Sequence, residues 1–293
     1  MYELIKVGEV SYYIDCPSRV GIVKVGEGRA VLIDSGNDRS MGKRIKKMLD
    51  AEGLTLEAIY NTHHHADHIG ANKYLSELYG CKIYAPRGEC GFIEHTLYEP
   101  AFLYGANPPS ALRGKFLVAE ESVTEPINPE AMPVGLEVIP LRGHTPDMLG
   151  FRTSDDVVYL ADCLTSTDTL DKYKVGVIYD IETYLSTLES VKEMRAALFV
   201  PSHATPTDNI APLAQYNIDA VTSIADKITE LCSTKTTIDG LIKSVFDAYG
   251  LTASVEQYAL VGSTVRSYVS YLISKNVLEF CVEDNAILVR RKI

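Results

Sequence analysis

Four of the seven histidines in this 293-residue chain stand within six consecutive residues, His63-His64-His65-Ala66-Asp67-His68. Imidazole nitrogen and carboxylate oxygen are the donors that zinc and similar divalent ions prefer, and catalytic sites leave one coordination position open for water. The run follows a short apolar strand, Ala58-Ile59-Tyr60-Asn61. On a continuing strand His63 and His65, two residues apart, project to the same side, and His64 faces away. Asp67 and His68 come after the turn and can point at a second ion. Expression tags sit at termini and lack the Asp67-His68 continuation. Three further candidates each lie at or just past the end of an expected strand: His144 in Arg142-Gly143-His144-Thr145-Pro146, Asp162 after Tyr159-Leu160-Ala161, and His203 after Phe199-Val200-Pro201. An α/β sheet presents its functional loops at that place.

The surrounding pattern alternates strand and helix. Val20–Val25 and Ala30–Ile33 flank the turn Gly26-Glu27-Gly28-Arg29, a hairpin signal. Met41, Ile45, Met48 and Leu49 fall at helical spacing before Gly53, and a second helix through Tyr74, Leu75 and Leu78 closes at Gly80. Strands are expected at Lys82–Ala85, Leu136–Leu141, Val157–Ala161 and Ala197–Val200, with a helix from Ile181 to Arg195. This mixture predicts a layered α/β domain over residues 1–210. Residues 86–133 form a long Pro- and Gly-marked segment, read as a helical insertion that acts as an active-site lid. It carries His95, Tyr98, Phe102 and Tyr104, candidate substrate contacts. Residues 211–293 lack histidine and read as three helices (Ile218–Leu231, Thr237–Tyr249, Val261–Lys275) and a hairpin, the layout of a small winged-helix-like domain.

In order and rough spacing, Asp34, His63-x-His65-x-Asp67-His68, His144, Asp162 and His203 resemble the five motifs of the metallo-β-lactamase superfamily, over about residues 1–210. The resemblance implies an αββα sandwich with metals at one edge. It implies one ion held by His63, His65 and His144, another by Asp67, His68 and His203, and Asp162 bridging. Asp34 would orient the ligand loop. Asp67 and Asp162 together point to the glyoxalase II-type branch; Asp147 stands where a glycine often follows the His-Thr-Pro.

The expected activity is that of a binuclear hydrolase. A metal-bridging hydroxide, with Asp67 as proton shuttle, would cleave an ester-like bond (thioester or lactone) or a phosphodiester of a small molecule. Zinc is the expected metal, with iron and manganese as alternatives. Two other readings compete: an endoribonuclease using the C-terminal domain for RNA, and a mononuclear iron persulfide dioxygenase. The diiron oxygen-reducing branch carries a carboxylate where this chain has His65. Net charge is −11, and residues 215–293 hold eight Lys plus Arg against nine Asp plus Glu. Nucleic acid is therefore a disfavoured partner, and the tail is expected to pack against the catalytic domain or a second subunit as a homodimer. No apolar run approaches the roughly 20 residues that span a bilayer, and the N-terminus lacks a signal-peptide pattern, so the expectation is a cytoplasmic chain without membrane contact. The six scattered cysteines read as free thiols, with Cys163 notable for following a candidate ligand.

Overall fold

The structure, a computed structural model, describes residues 2–292. Seven strands form the first sheet in sequence order: β1 (Glu3–Lys6), β2 (Ser11–Asp15), β3 (Val20–Gly26), β4 (Arg29–Ile33), β5 (Thr55–Tyr60), β6 (Lys82–Ala85) and β7 (Glu125–Pro126). The first four pair antiparallel, and β4 to β7 pair parallel. The second sheet has the order β11-β10-β9-β8, from β8 (Leu136–Pro140), β9 (Leu149–Thr153), β10 (Val157–Thr165) and β11 (Leu198–His203). Only β10 and β11 run parallel in it.

Alternating side chains place one face of each sheet in a shared core. Val23, Val31, Ile33, Ala58 and Tyr60 of the first sheet meet Leu136, Phe151, Val157, Tyr159 and Val200 of the second. The outer face of the first sheet is covered by α1 (Arg39–Ala51) and α3 (Asn72–Tyr79), with the single-turn α2 (Ala66–Ile69) between them in the chain. Helix α1 starts where the Asp38 carboxylate accepts from Met41 N, and α3 stops at Gly80 in the left-handed conformation. The insertion holds two short helices, α4 (Cys90–Glu94) and α5 (Tyr98–Tyr104). Helices α6 (Thr167–Tyr173) and α7 (Ile181–Glu193) precede β11, and α7 covers the outer face of the second sheet. The architecture is four layers, helix-sheet-sheet-helix.

The C-terminal region runs α8 (Ala211–Leu231), β12 (Thr236–Thr237), α9 (Ile238–Tyr249), α10 (Val255–Ser274), β13 (Leu278–Glu283) and β14 (Ala286–Arg291). Its strands form a three-stranded sheet ordered β12-β14-β13. Two helices start earlier than the periodicity indicates. Pro212 reads as a break but occupies the first turn of α8, where a missing N–H costs nothing. Ser254 caps α10 by accepting from Gln257 N, adding a turn and a half that carries little apolar pattern. The hairpin turn has Asp284 and Asn285 both at positive φ, as a two-residue turn demands. Buried residues from Leu141 through Val265 and Tyr268 to Val289 belong to one continuous cluster, so the tail shares its core with the second sheet. All six cysteines are free, and Cys163 is buried in that same cluster, on the apolar side of β10. Among the described residues, no helix is long and apolar enough to cross a membrane.

Candidate metal centre

Parallel strands β4 and β5, and parallel strands β10 and β11, end along one edge of the sandwich, and the polar residues that follow them meet there. Asp34 follows β4 and the 61–68 loop follows β5. Asp162 lies near the end of β10 and His203 at the end of β11. Among the described residues, three sets of side chains have ligand atoms close enough to share an ion. One, His64, His65 and Glu99, is closed by hydrogen bonds of His64 itself. The other two groups are His63, His65, His144 and Asp162, and then Asp67, His68 and His203. His144 Nε2 and His63 Nε2 each approach His65 Nδ1 to 3.1 Å. Asp162 lies between the groups, with His203 Nε2 at 3.1 Å from one oxygen and His68 Nε2 at 3.1 Å from the other.

The outward nitrogens of these rings are held. His144 Nδ1 pairs with the carbonyl of Val177 at 2.8 Å, and His203 Nδ1 with that of Pro17 at 2.9 Å. His68 Nδ1 pairs with Asp34 Oδ2 at 2.8 Å, and His63 Nδ1 with Thr62 Oγ1 at 2.9 Å. In a neutral ring, donation from Nδ1 leaves the Nε2 lone pair facing inward, the tautomer a metal requires. Asp34 also accepts from Thr62 N and Thr62 Oγ1, both at 2.8 Å. Its own backbone has φ 63°, a left-handed conformation that costs about 1–2 kcal/mol for a side-chain-bearing residue. Three accepted hydrogen bonds offset that, so Asp34 is more than a turn former.

Two devices aim the remaining ligands. Between Tyr159 and Thr165 the β10–β11 register slips and Ala161 takes φ 50°, turning Asp162 out of the ladder toward the histidines. Before His144, Gly143 has φ 120°, and a Cβ there would stand 2.4 Å from the backbone of Tyr184. Any other residue would displace the His144 loop from α7.

The donor set fits divalent ions on an observation within the structure. His68 Nε2 and Asp162 Oδ1 are buried and have no directed hydrogen bond. They stand 3.1 Å apart as an ion pair whose geometry makes no directed hydrogen bond, among five further donors that converge on the same space.

Charge separates the groups. Burial holds His63, His65 and His144 below the usual imidazole range, His65 at about 4. Burial acts the same way on His68, but the carboxylates of Asp162, Asp67 and Asp34 outweigh it and raise its pKa. Asp162 raises His203 to about 10. Asp67 and Asp162 resist the upward push of burial and sit below the usual carboxylate range, held there by His68 and His203.

His64 does face away from both groups, yet it is no bystander. Its ring is buried between Glu89 and Glu99, hydrogen bonded to both (2.7 Å to Glu99), and stacked on Phe92. Burial would discharge it, but the two carboxylates raise its pKa to about 9. A buried charge without partners costs several kcal/mol, which this flanking repays. Glu89 accepts further from Thr145 Oγ1 and Asp147 N, each at 2.8 Å. Asp147 in turn accepts from Gly88 N at 3.0 Å and pairs with Arg142 at 2.9 Å. Residues 86–133 are thus pinned to both ligand loops, and Leu103, Leu112 and Leu117 pack on Ala259 and Leu260 of α10. Helix α10 also supports the site from behind: Thr264 Oγ1 accepts from Ile178 N at 3.2 Å, and Ser267 Oγ donates to Tyr179 O at 2.8 Å. Those contacts flank the Val177 carbonyl that orients His144.

Of the four expected substrate contacts, Tyr98 and Phe102 line one side of the insertion together with Phe92, and the His95 ring lies 5.1 Å from Tyr98. Tyr104, two residues beyond Phe102, falls on the other side of α5 and is exposed. On the His203 side lies an open cleft of about 550 Å³, lined by Asp15, Arg19, Ser166, Asp168, Thr169 and Thr205 among others. Neither Glu89, Glu99 nor Arg19 carried a spacing signal in the sequence.

The sequence model of the metallo-beta-lactamase superfamily matches residues 13–203. The chain belongs to this superfamily. Its local similarity is to hydroxyacylglutathione hydrolases: one from Thiobacillus denitrificans is 44% identical over 57 residues, 20% of this chain and 21% of the relative. An uncharacterized protein of Mycobacterium leprae is 29% identical over 153 residues, 50% of this chain and 65% of the relative. The chain therefore matches between about a fifth and two thirds of these relatives' lengths. The hydroxyacylglutathione hydrolases among them agree with the glyoxalase II-type resemblance. The beta-lactamase domain protein of Burkholderia ambifaria superposes with TM-score 0.72 at 15% identity, covering 99% of this chain and 94% of that one. That likeness is one of fold, and it takes in the C-terminal region beyond the residues the family model matches.

Proposed function

We propose that this superfamily member is a binuclear metal hydrolase acting on ester-like bonds, thioester or lactone, of a small molecule. The observation that carries the reading is the convergence of two donor groups on the buried Asp162 carboxylate, whose Oδ1 lies 3.1 Å from His68 Nε2 without a directed hydrogen bond. His63, His65 and His144 would hold one ion, Asp67, His68 and His203 the other, and Asp162 both. Two divalent ions bound there, zinc first among them, would supply a water of pKa near 7 and an electrophilic contact for the scissile oxygen. Asp67 is the carboxylate suited to carry the proton away. Its side chain is 40% exposed against 10% for Asp162, and Ser18 Oγ steadies its Oδ2 from 2.5 Å.

Ester chemistry is favoured over phosphodiester cleavage by the lining of the cleft. Arg19 is its one lysine or arginine among the described residues; it pairs with Asp15 at 3.0 Å and donates to Ala204 O at 2.6 Å. No spare cation is left there for a phosphate.

Residues 211–293, in the order helix, strand, two helices and two strands, fit a winged-helix-like domain, which we assign to packing. The helix that would read a groove, α10, buries Val261, Val265, Tyr268, Val269 and Leu272. Lys227, Lys235, Lys243, Arg266, Lys275 and Arg290 are all in ion pairs. Arg291 and Lys292 alone are too few for the phosphate contacts of an RNA reader.

Elemental analysis of purified protein, coupled to a panel of thioester, lactone, phosphodiester and RNA substrates, tests the proposal. Two equivalents of metal with thioester or lactone turnover are expected. One iron per chain with oxygen consumption, or salt-sensitive RNA binding with cleavage, would overturn it.

A further inference from the structure

The first donor group is bordered by an aromatic strip that the hydrolase reading leaves unused. Phe92 stacks on His64 with ring centroids 4.2 Å apart, and its other neighbours are Phe102 at 5.9 Å and Tyr98 at 6.4 Å. Phe102 then meets Tyr179 at 5.7 Å. Tyr98, Phe102 and Tyr179 are 53%, 46% and 45% exposed. Among the described residues, the exposed aromatics Tyr104 and Phe116 form no ring pair with this strip; single exposures of that kind are ordinary, whereas a contiguous apolar patch marks a contact.

The strip is continuous with the donor groups at both ends. At one end His64 lies between His63 and His65, and Glu99, one turn from Phe102 on α5, comes within 3.7 Å of His65 Nε2. At the other end Tyr179 N donates to the Gly143 carbonyl at 3.0 Å, next to His144. The segments beneath the rings are held: Ser267 Oγ donates to the Tyr179 carbonyl, and α5 is anchored by the Glu99 side chain on His64 and by buried Leu103. Exposed rings on a fixed backbone present a preformed apolar wall. None of the four ring residues lines the open cleft beside His203, whose walls include Asp15, Arg19, Ser166 and Asp168.

We propose that the substrate is amphipathic: an ester or thioester with an alkyl chain or aromatic ring on one side of the scissile bond, laid along Phe92, Phe102, Tyr98 and Tyr179. Its polar remainder lies in the cleft beside His203. This inference rests on the hydrolase reading for its reaction and on the strip alone for its binding.

The test uses the full-length, zinc-loaded protein and two substrate series, one lengthening the acyl group on a fixed alcohol, the other lengthening the alcohol on acetate. Calorimetric titration with octanoate, octanol and acetate reads binding without turnover. Each methylene moved onto an apolar wall favours binding, so octanoate or octanol is expected to bind about tenfold or more tightly than acetate. The KM of the matching ester series falls with chain length. F102A/Y179A should flatten the length dependence in both assays, and F102L should keep part of it. Hydrolysis with no length preference, or a preference the double variant retains, overturns the inference and leaves the hydrolase reading standing. Strip-dependent octanoate or octanol binding with no ester cleaved does the reverse. A dimer that F102A splits, with octanoate and octanol binding unchanged, assigns the strip to a second copy of the chain and also overturns it.

Discussion

The two donor groups share Asp162 and differ in nearly everything else. His63, His65 and His144 are neutral imidazoles, kept so by burial. His68 and His203 stand among Asp34, Asp67 and Asp162 and have raised pKa values. An ion would meet lone pairs already free in the first group, but in the second it would have to displace protons that the carboxylates hold in place. The lesson is that one contiguous run of sequence can build two sites of opposite proton affinity. The difference comes from which carboxylates the fold brings up behind each ring.

Removing the shared ligand is the severest challenge to that contrast. Asp162→Ala is expected to lose both metal equivalents and about a thousandfold in turnover, as several kcal/mol of transition-state stabilisation vanish. Metal analysis beside kinetics checks it; one tightly retained equivalent would mean that Asp162 serves a single group. A smaller effect should follow Asp34→Ala. Asp34 holds His68 directly and His63 only through Thr62. Chelator competition should find the second group weakened by about 10–100-fold and the first by less. Equal weakening would show that Thr62 transmits the whole restraint.

The mildest test is pH. His203 has its pKa raised to about 10, so below that value the free ring keeps its proton and competes with the ion. Affinity of the second group should fall about tenfold per pH unit for each proton displaced. His65, lowered to about 4, competes only in acid. Acidification should therefore release one equivalent well before the other. Simultaneous release would remove the distinction between the groups.

Much of this was legible along the chain because it is local. The histidine run, strands ending in polar residues and glycine-closed helices are patterns within a few residues of one another. His144, Asp162 and His203 were found because each follows an apolar strand. Strand β9 escaped notice: it is short, and Gly150 sits in it because a Cβ there would stand 2.6 Å from Tyr159 O. The partners of His64 are illegible in the sequence for a different reason. Its partners lie 25 and 35 residues away, on an insertion whose path has no periodic signature.

The sequence by itself determined the donor atoms, the strand ends that carry them and the acidic net charge, since ligand chemistry and charge are properties of residue type. Only the tertiary structure decided the rest: the carboxylates behind His64, the Val177 carbonyl behind His144, the α10 hydroxyls that steady that loop, and the aromatic strip. Each of these is a contact between segments far apart in the chain, closed by burial of one shared core.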